Sequence, residues 1–224
     1  MPEIVGLDKV YGILPGVTKC YMAATVRVQR PSEPGKGISP GSEGYDREGP
    51  MQFYDASNWR NIPRGSAAML YADGDFAAPA DAPAQLALSH ARWITVEGNH
   101  QTAGAIDWEE FQPCFTDQAL ADYVAGRKSM GARARVYVQR SLVSRALAAL
   151  DASEAEDLAT YPGLVWWIPT LDGREWTASE LQADLAANWN ADLPLAAIWA
   201  NQWNQIPHLG PNAKADQSTL FGTW

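Results

Sequence analysis

Gly104-Ala105-Ile106-Asp107-Trp108-Glu109 is a short apolar run that delivers two carboxylates two positions apart. In a strand, successive side chains alternate sides, so Asp107 and Glu109 project together while Ile106 and Trp108 point the other way. Like charges held close raise at least one carboxyl pKa. That sets a proton donor near neutral pH beside a carboxylate that stays ionised, the division of labour glycosidases use. An exposed strand end carrying two solvated acids has the same local sequence, so the tripeptide gains weight only from the segments on either side of it.

Outward from that run, short strand-like stretches alternate with helical ones from Met51 onward, the pattern of a parallel α/β sheet or barrel. The expected strands are Gln52 to Ala56, Ala67 to Ala72, Arg92 to Glu97, Ala103 to Trp108, Arg133 to Val138, Gly163 to Ile168 and Ala196 to Trp203. Thr116 is placed to cap a helix with Leu120, Tyr123 and Val124 as its buried stripe, ending near Gly131. Ser141 is placed to cap a second helix, with Leu142, Ala146, Leu147 and Leu150 inward. Ser153 with Glu156 and Thr177 with Glu180 have capping-box spacing, and Leu181, Leu185 and Trp189 continue the last stripe. Residues 51 to 224 are fewer than the roughly 200 or more of a complete (β/α)8 barrel, so some helices should be replaced by loops. The expected fold is therefore α/β, an irregular (β/α) TIM-like barrel over 51–224. Residues 1–50 form an N-terminal extension, in which a β-prone run, Cys20 to Val28, precedes a Gly/Pro/Ser-rich loop from Pro31 to Pro50.

Composition narrows the function. At 224 residues the chain can bury one large core. A net charge of -9 argues against DNA or RNA, whose binding draws most of its affinity from a basic surface. Ten tryptophans, several beside polar residues (Trp59, Trp93, Trp108, Trp199, Trp203), suit either a core or the flat walls of a sugar site. Cys20 and Cys114 are expected as free thiols. No stretch reaches the roughly 18 apolar residues of a membrane span, and Met-Pro-Glu-Ile-Val-Gly does not begin an export signal. The chain is expected to be cytoplasmic at synthesis and to reach an external target by lysis or within a virion. His90, His100 and His208 fall in no metal-ligand spacing, Gly35-Lys36-Gly37 is not a phosphate loop, and Gly41-Ser42-Glu43-Gly44 is no nucleophile elbow. Neither a metal nor another cofactor is expected.

The segments also form an ordered series. Tyr54-Asp55-Ala56-Ser57-Asn58-Trp59 is followed by Leu70-Tyr71-Ala72-Asp73-Gly74-Asp75-Phe76 and Trp93-Ile94-Thr95-Val96. Next come Ile106-Asp107-Trp108-Glu109 and Ala134-Arg135-Val136-Tyr137-Val138 with Ser141. Trp199-Ala200-Asn201-Gln202-Trp203 and Asp216-Gln217-Ser218 close the series. In this order they resemble the motifs of the glycoside-hydrolase-like barrels related to family 25 lysozymes, in particular the lysozyme-like domains of actinobacteria and their phages. The resemblance covers about three quarters of the chain and leaves residues 1–50 aside. It departs at Trp166-Trp167-Ile168-Pro169, where proline stands where a strand would continue, and at Glu110, which follows Glu109 directly and offers a second glutamate.

The resemblance implies that Glu109 is a general acid that protonates the glycosidic oxygen. Asp107 would stabilise positive charge on the sugar or orient its N-acetyl group, and Asp55 and Asp216 would be further acids lining the cleft. In a parallel barrel the strand C-termini form the active face, so Asp55, Asp73, Asp75, Asp107 and Glu109 can converge from separate strands. Each acid also has a structural alternative: Asp55 and Asp75 can end strands or cap helices, Asp73 can turn the chain before Gly74, and Asp216 can hold a loop. Tyr71 and Tyr137 can donate to a carboxylate or a sugar, or sit in the core. Trp199 can wall the cleft or fill the barrel, and Gln202 can orient substrate or pin the last strand to the first. Two functions follow. One is an O-glycosyl hydrolase of lysozyme type acting on an envelope glycan such as peptidoglycan. The other is a glycan-binding or phage-particle module without turnover, with residues 1–50 as its arm for a phage or envelope protein.

Overall fold

The computed structural model describes residues 3–4, 23–27, 51–56, 58–155, 157–206 and 215–224. The loop expected from Pro31 to Pro50, together with Cys20, Ser57, Glu156 and His208, lies outside the described residues. The strands are β1 (Glu3–Ile4), β2 (Ala23–Arg27), β3 (Met51–Asp55), β4 (Ser66–Tyr71) and β5 (His90–Thr95), then β6 (Ala105–Asp107), β7 (Ala134–Tyr137), β8 (Leu164–Pro169), β9 (Ile198–Ile206) and β10 (Ala215–Leu220). β3 to β9 pair in parallel in chain order, and β10 returns antiparallel between β9 and β3. The result is a closed, mixed, eight-stranded barrel of the α/β class. All seven strands expected from the sequence are present. β10 was expected only as an acid-bearing element after the last strand. β2, inside the β-prone run at 20–28, pairs antiparallel with β3 and β4.

Helices cover only part of the barrel. α1 (Ala82–Gln85) is a single turn, while α2 (Asp117–Ser129), α3 (Val143–Asp151) and α4 (Ala178–Asn188) follow β6, β7 and β8. α2 begins as expected: the Thr116 hydroxyl accepts from the Ala119 N–H at 3.1 Å, and Leu120, Tyr123 and Val124 are buried. The helix stops at Met130, and Gly131 takes the left-handed φ of +62° that reverses the chain. The Thr177–Glu180 capping box opens α4 and buries Leu181 and Leu185. Trp189, expected on that stripe, lies past the helix end and is 37 % exposed.

Two helix starts differ from expectation. Ser141 caps nothing: it lies in a 3-10 turn, Arg140–Leu142, and α3 starts at Val143, with Val143, Ala146 and Leu150 buried and Leu142 and Leu147 half-buried. Ser153 starts no helix either, and its hydroxyl donates to the Ala155 carbonyl. A cap contributes only about 1 kcal/mol, and Leu158 is the one large apolar residue that this segment buries before Pro162.

The alternation of each strand divides the core in two. Phe53, Met69, Ile94, Tyr137, Val165, Trp167 and Trp199 fill the barrel. Ile106, Trp108, Val136 and Trp166 point outward and pack with Leu120, Val124, Val143, Leu181 and Leu185 of the helices. Trp167 meets Phe53 edge-on at 4.7 Å between ring centroids and Tyr137 at 4.8 Å, so the barrel is packed rather than open. β8 ends at Pro169, paired opposite Gln202. The proline that interrupts the expected pattern is the strand's last residue, where the missing N–H costs least.

Candidate functional site

The site lies where the parallel strands end. Asp107 is the last residue of β6, and the next residue continues the pairing with β7, Trp108 N–H donating to the Tyr137 carbonyl at 3.0 Å. Ile106 and Trp108 therefore enter the outer core, while Asp107 and Glu109 turn to the barrel's interior side. Both acids are buried, Asp107 at 0 % and Glu109 at 1 % exposure. The second glutamate, Glu110, is exposed. Alternation thus selects Glu109 over its neighbour.

Asp107 is held from two directions. Tyr71 Oη, at the end of β4, donates to Asp107 Oδ2 at 3.2 Å, and Gln112 Nε2 donates to the same oxygen at 2.9 Å. The Cys114 thiol, buried and with its pKa pushed up mainly by desolvation and then by the Asp107 charge, donates to the Asp107 carbonyl. Tyr71 is fully buried. Desolvation and then the charges of Asp107, Asp55 and Glu109 raise its pKa well above that of an ordinary phenol, so it remains a donor at any pH the fold tolerates.

Gln202 organises the other half of the strand ends. It is fully buried, accepts from Tyr137 Oη at 2.5 Å, and donates through Nε2 to Asp55 Oδ1 at 3.3 Å and Asp216 Oδ2 at 3.1 Å. One amide thereby ties β9 to β7, β3 and β10. Asp55 and Asp216 are buried within this network at 1 % and 0 % exposure.

Glu109 reaches solvent space. A cleft of about 230 Å³ is lined by Glu109, Tyr137, Gln139, Arg140, Thr170 and Trp189, among others. Gln139 Nε2 donates to Glu109 Oε1 at 3.4 Å. Arg140, paired with Asp184 at 3.0 Å, lies between the rings of Trp176 and Trp189. Asp107 is behind the wall rather than in it. Two non-glycine residues with left-handed backbone accompany this mouth: Leu171 (φ 56°), in the cleft wall, and Asn190 (φ 50°), next to Trp189. Strain of this kind concentrates at functional sites.

Other expected site residues lie elsewhere. Asp73 accepts from Val96 N–H at 2.8 Å and from the Thr95 hydroxyl, which ties the loop after β4 to β5. Asp75 is exposed in a 3-10 turn. Trp199 is at the opposite end of the barrel against Phe53, Trp224 and Arg135, so it is not in the wall of the Glu109 cleft. Gln112, Gln139, Arg140, Thr170 and Trp189 were not anticipated. The rule that selects residues just past strand ends, applied to β7 and β8 as it was to β6, would have found Gln139, Arg140 and Thr170. Among the described residues, no group of three or more His, Cys, Asp or Glu side chains could hold a metal ion, and no helix is long and apolar enough to cross a membrane.

Comparison with protein-family models, with curated proteins and with solved structures finds no match to this chain.

Proposed function

We propose that this barrel is a shortened relative of the (β/α)8 barrels, of lysozyme type, and that it hydrolyses a glycan of the bacterial envelope such as peptidoglycan. One observation carries the reading: a buried glutamate in the wall of a cleft, with a second carboxylate fixed two residues before it on the same face. Glu109, in a site poor in water, takes up a proton and gives it to the glycosidic oxygen as the C–O bond breaks. Asp107, fixed as an acceptor by Tyr71 and Gln112, stabilises the positive charge that develops on the sugar ring. Water adds at the anomeric carbon and returns its proton to Glu109. The half-exposed face of Trp189 supports the C–H face of a pyranose. Glycan substrate, action outside the cell after lysis or from a virion, and attachment through residues 1–50 belong to the same proposal.

A second reading, a glycan-binding or particle-associated module without turnover, is supported by the size of the cleft. About 230 Å³ is below the roughly 300–1,000 Å³ of most ligand sites. Digestion of purified cell walls separates the two. Wild type and Glu110→Gln should release reducing ends, while Glu109→Gln should fold normally and lose roughly 10²–10⁴-fold in rate. Wall binding by all three proteins with no release from any of them would establish the module instead.

A further inference from the structure

The end of the barrel opposite Glu109 carries the reverse charge. Arg92 of β5 and Arg135 of β7 flank the start of β6; Arg135 is level with Ala105, its first residue, and Gly104 just before it leaves room for the Arg135 guanidinium. Arg135 is only 4 % exposed; its Nη1 donates to the Gly104 carbonyl at 3.4 Å, and its guanidinium stacks 4.9 Å from the Trp199 ring. Arg92 is half-buried, with its guanidinium 5.5 Å from the Trp224 ring. In both arginines the Nε–H is buried with no acceptor. Stacking satisfies the face of a guanidinium but not the N–H groups in its plane.

Among the described residues, no carboxylate pairs with either arginine. The ion pairs among the described residues join Arg140 to Asp184, Arg145 to Asp117 and Arg174 to Glu180, all elsewhere. Arg127 and Arg133, on the same end, donate to the carbonyls of Arg133, His100 and Thr223. Desolvation and then the Arg92 charge bring the Arg135 pKa down to about 9, and burial followed by Arg133 and Arg127 lowers that of Arg92. In a chain of net charge -9, gathering guanidiniums around unserved donors favours an incoming anion.

We propose that this end of the barrel binds an oxyanion, a phosphate or carboxylate group that Arg92 and Arg135 grip through their in-plane N–H groups against the Trp199–Trp224 wall. A guanidinium fork matches such groups in a way that a halide cannot. This site is separate from the cleft at Glu109 and does not depend on its function.

The test is thermal unfolding and calorimetric titration of the full chain with inorganic phosphate and with acetate, each against chloride at equal ionic strength. Wild type and Glu109→Gln should show the same saturable rise in midpoint, and Arg92→Gln should weaken the binding about tenfold or more. Arg92→Lys should fall between them. Preference for phosphate would identify a phosphoryl ligand, and parity with acetate a carboxylate. A rise that never saturates and is equal in Arg92→Gln would be general solute exclusion and would overturn the proposal, as would no difference from chloride. Because Glu109→Gln is expected to behave as wild type here, failure of this site and failure of the glycosidase reading are distinguishable.

Discussion

Replacing Gln202 by methionine tests how the barrel is closed. Methionine nearly matches glutamine in volume, so the change creates little cavity and isolates the hydrogen bonds. It removes the acceptor for Tyr137 Oη at 2.5 Å and the donor to the carboxylates of Asp55 and Asp216 at 3.3 and 3.1 Å. Bonds to charged groups contribute about 1.5–3 kcal/mol each and neutral ones about 1 kcal/mol. The two carboxylate contacts are long, which places the loss at about 4 kcal/mol. For a chain of this length the melting midpoint should fall by roughly 8–16 °C. Urea denaturation followed by Trp fluorescence and circular dichroism measures it, with the two signals coinciding. A loss below about 1 kcal/mol would refute the claim that this amide holds the strand ends together. Gln202→Glu adds the sign. A third carboxylate between Asp55 and Asp216 has its pKa raised in the folded state, so its penalty is present when it is ionised and relieved as it takes up a proton. Its deficit should therefore shrink as pH falls from 7 to 5, and more steeply than the methionine deficit, which carries only the repulsion between Asp55 and Asp216.

Three further predictions are simpler. Trp189→Ala should raise KM on a wall glycan about three- to tenfold with the fold retained, since the ring is 37 % exposed in the cleft wall and offers a stacking face, its one side-chain hydrogen bond here being that to Asp184 at 3.1 Å. Thr116→Ala removes the cap on Ala119 and should cost about 1 kcal/mol, or roughly 2–4 °C in midpoint by calorimetry. Glu180 is held down at about 2 by the Thr177 backbone N–H first and then by Arg174 and the Thr177 hydroxyl. Its folded pKa lies below the ordinary 4.5, so its contribution is present above that value and is lost as pH falls toward 2. Thermal melts of wild type and Glu180→Gln should therefore differ at pH 7 and converge over that window.

The strands legible in the sequence are those whose outer faces meet helices or whose inner faces meet the aromatic core. Ile106, Val136 and Trp166 on one side and Tyr137 and Trp167 on the other make near-continuous apolar runs. β10 was not legible as a strand because Ala-Asp-Gln-Ser-Thr-Leu places Asp216 and Ser218 inward, where a polar network and the Trp167 indole N–H await them. Hydrophobic alternation reports contact with an oily interior, and this interior is polar at one end. The place of Trp199 was left open for a different reason. It lies three residues before Gln202 on a strand rising about 3.3 Å per residue, so it sits some 10 Å lower than the acids and cannot share their cleft. Arg140 could be found by its place just past β7, but its pairing could not, because Asp184 and the Thr170 carbonyl come from sequence-distant elements that only the barrel brings together.

The reversal of β10 explains how the site comes to have acids on so many sides. Parallel strands present only their C-terminal residues to the active end, so β3, β6 and the residues past β6 supply Asp55, Asp107 and Glu109 from strands that all point the same way. Closing the ring with an antiparallel strand presents the first residues of that strand there instead, and Asp216 is the second residue of β10. Its register against β3, with Ser218 opposite Phe53, brings Asp216 level with Asp55. Two carboxylates side by side repel unless a donor stands between them, and the Gln202 amide from the neighbouring strand is that donor. Tyr137 joins this seam to the cleft: its hydroxyl donates to Gln202, and its ring lines the cleft beside Glu109.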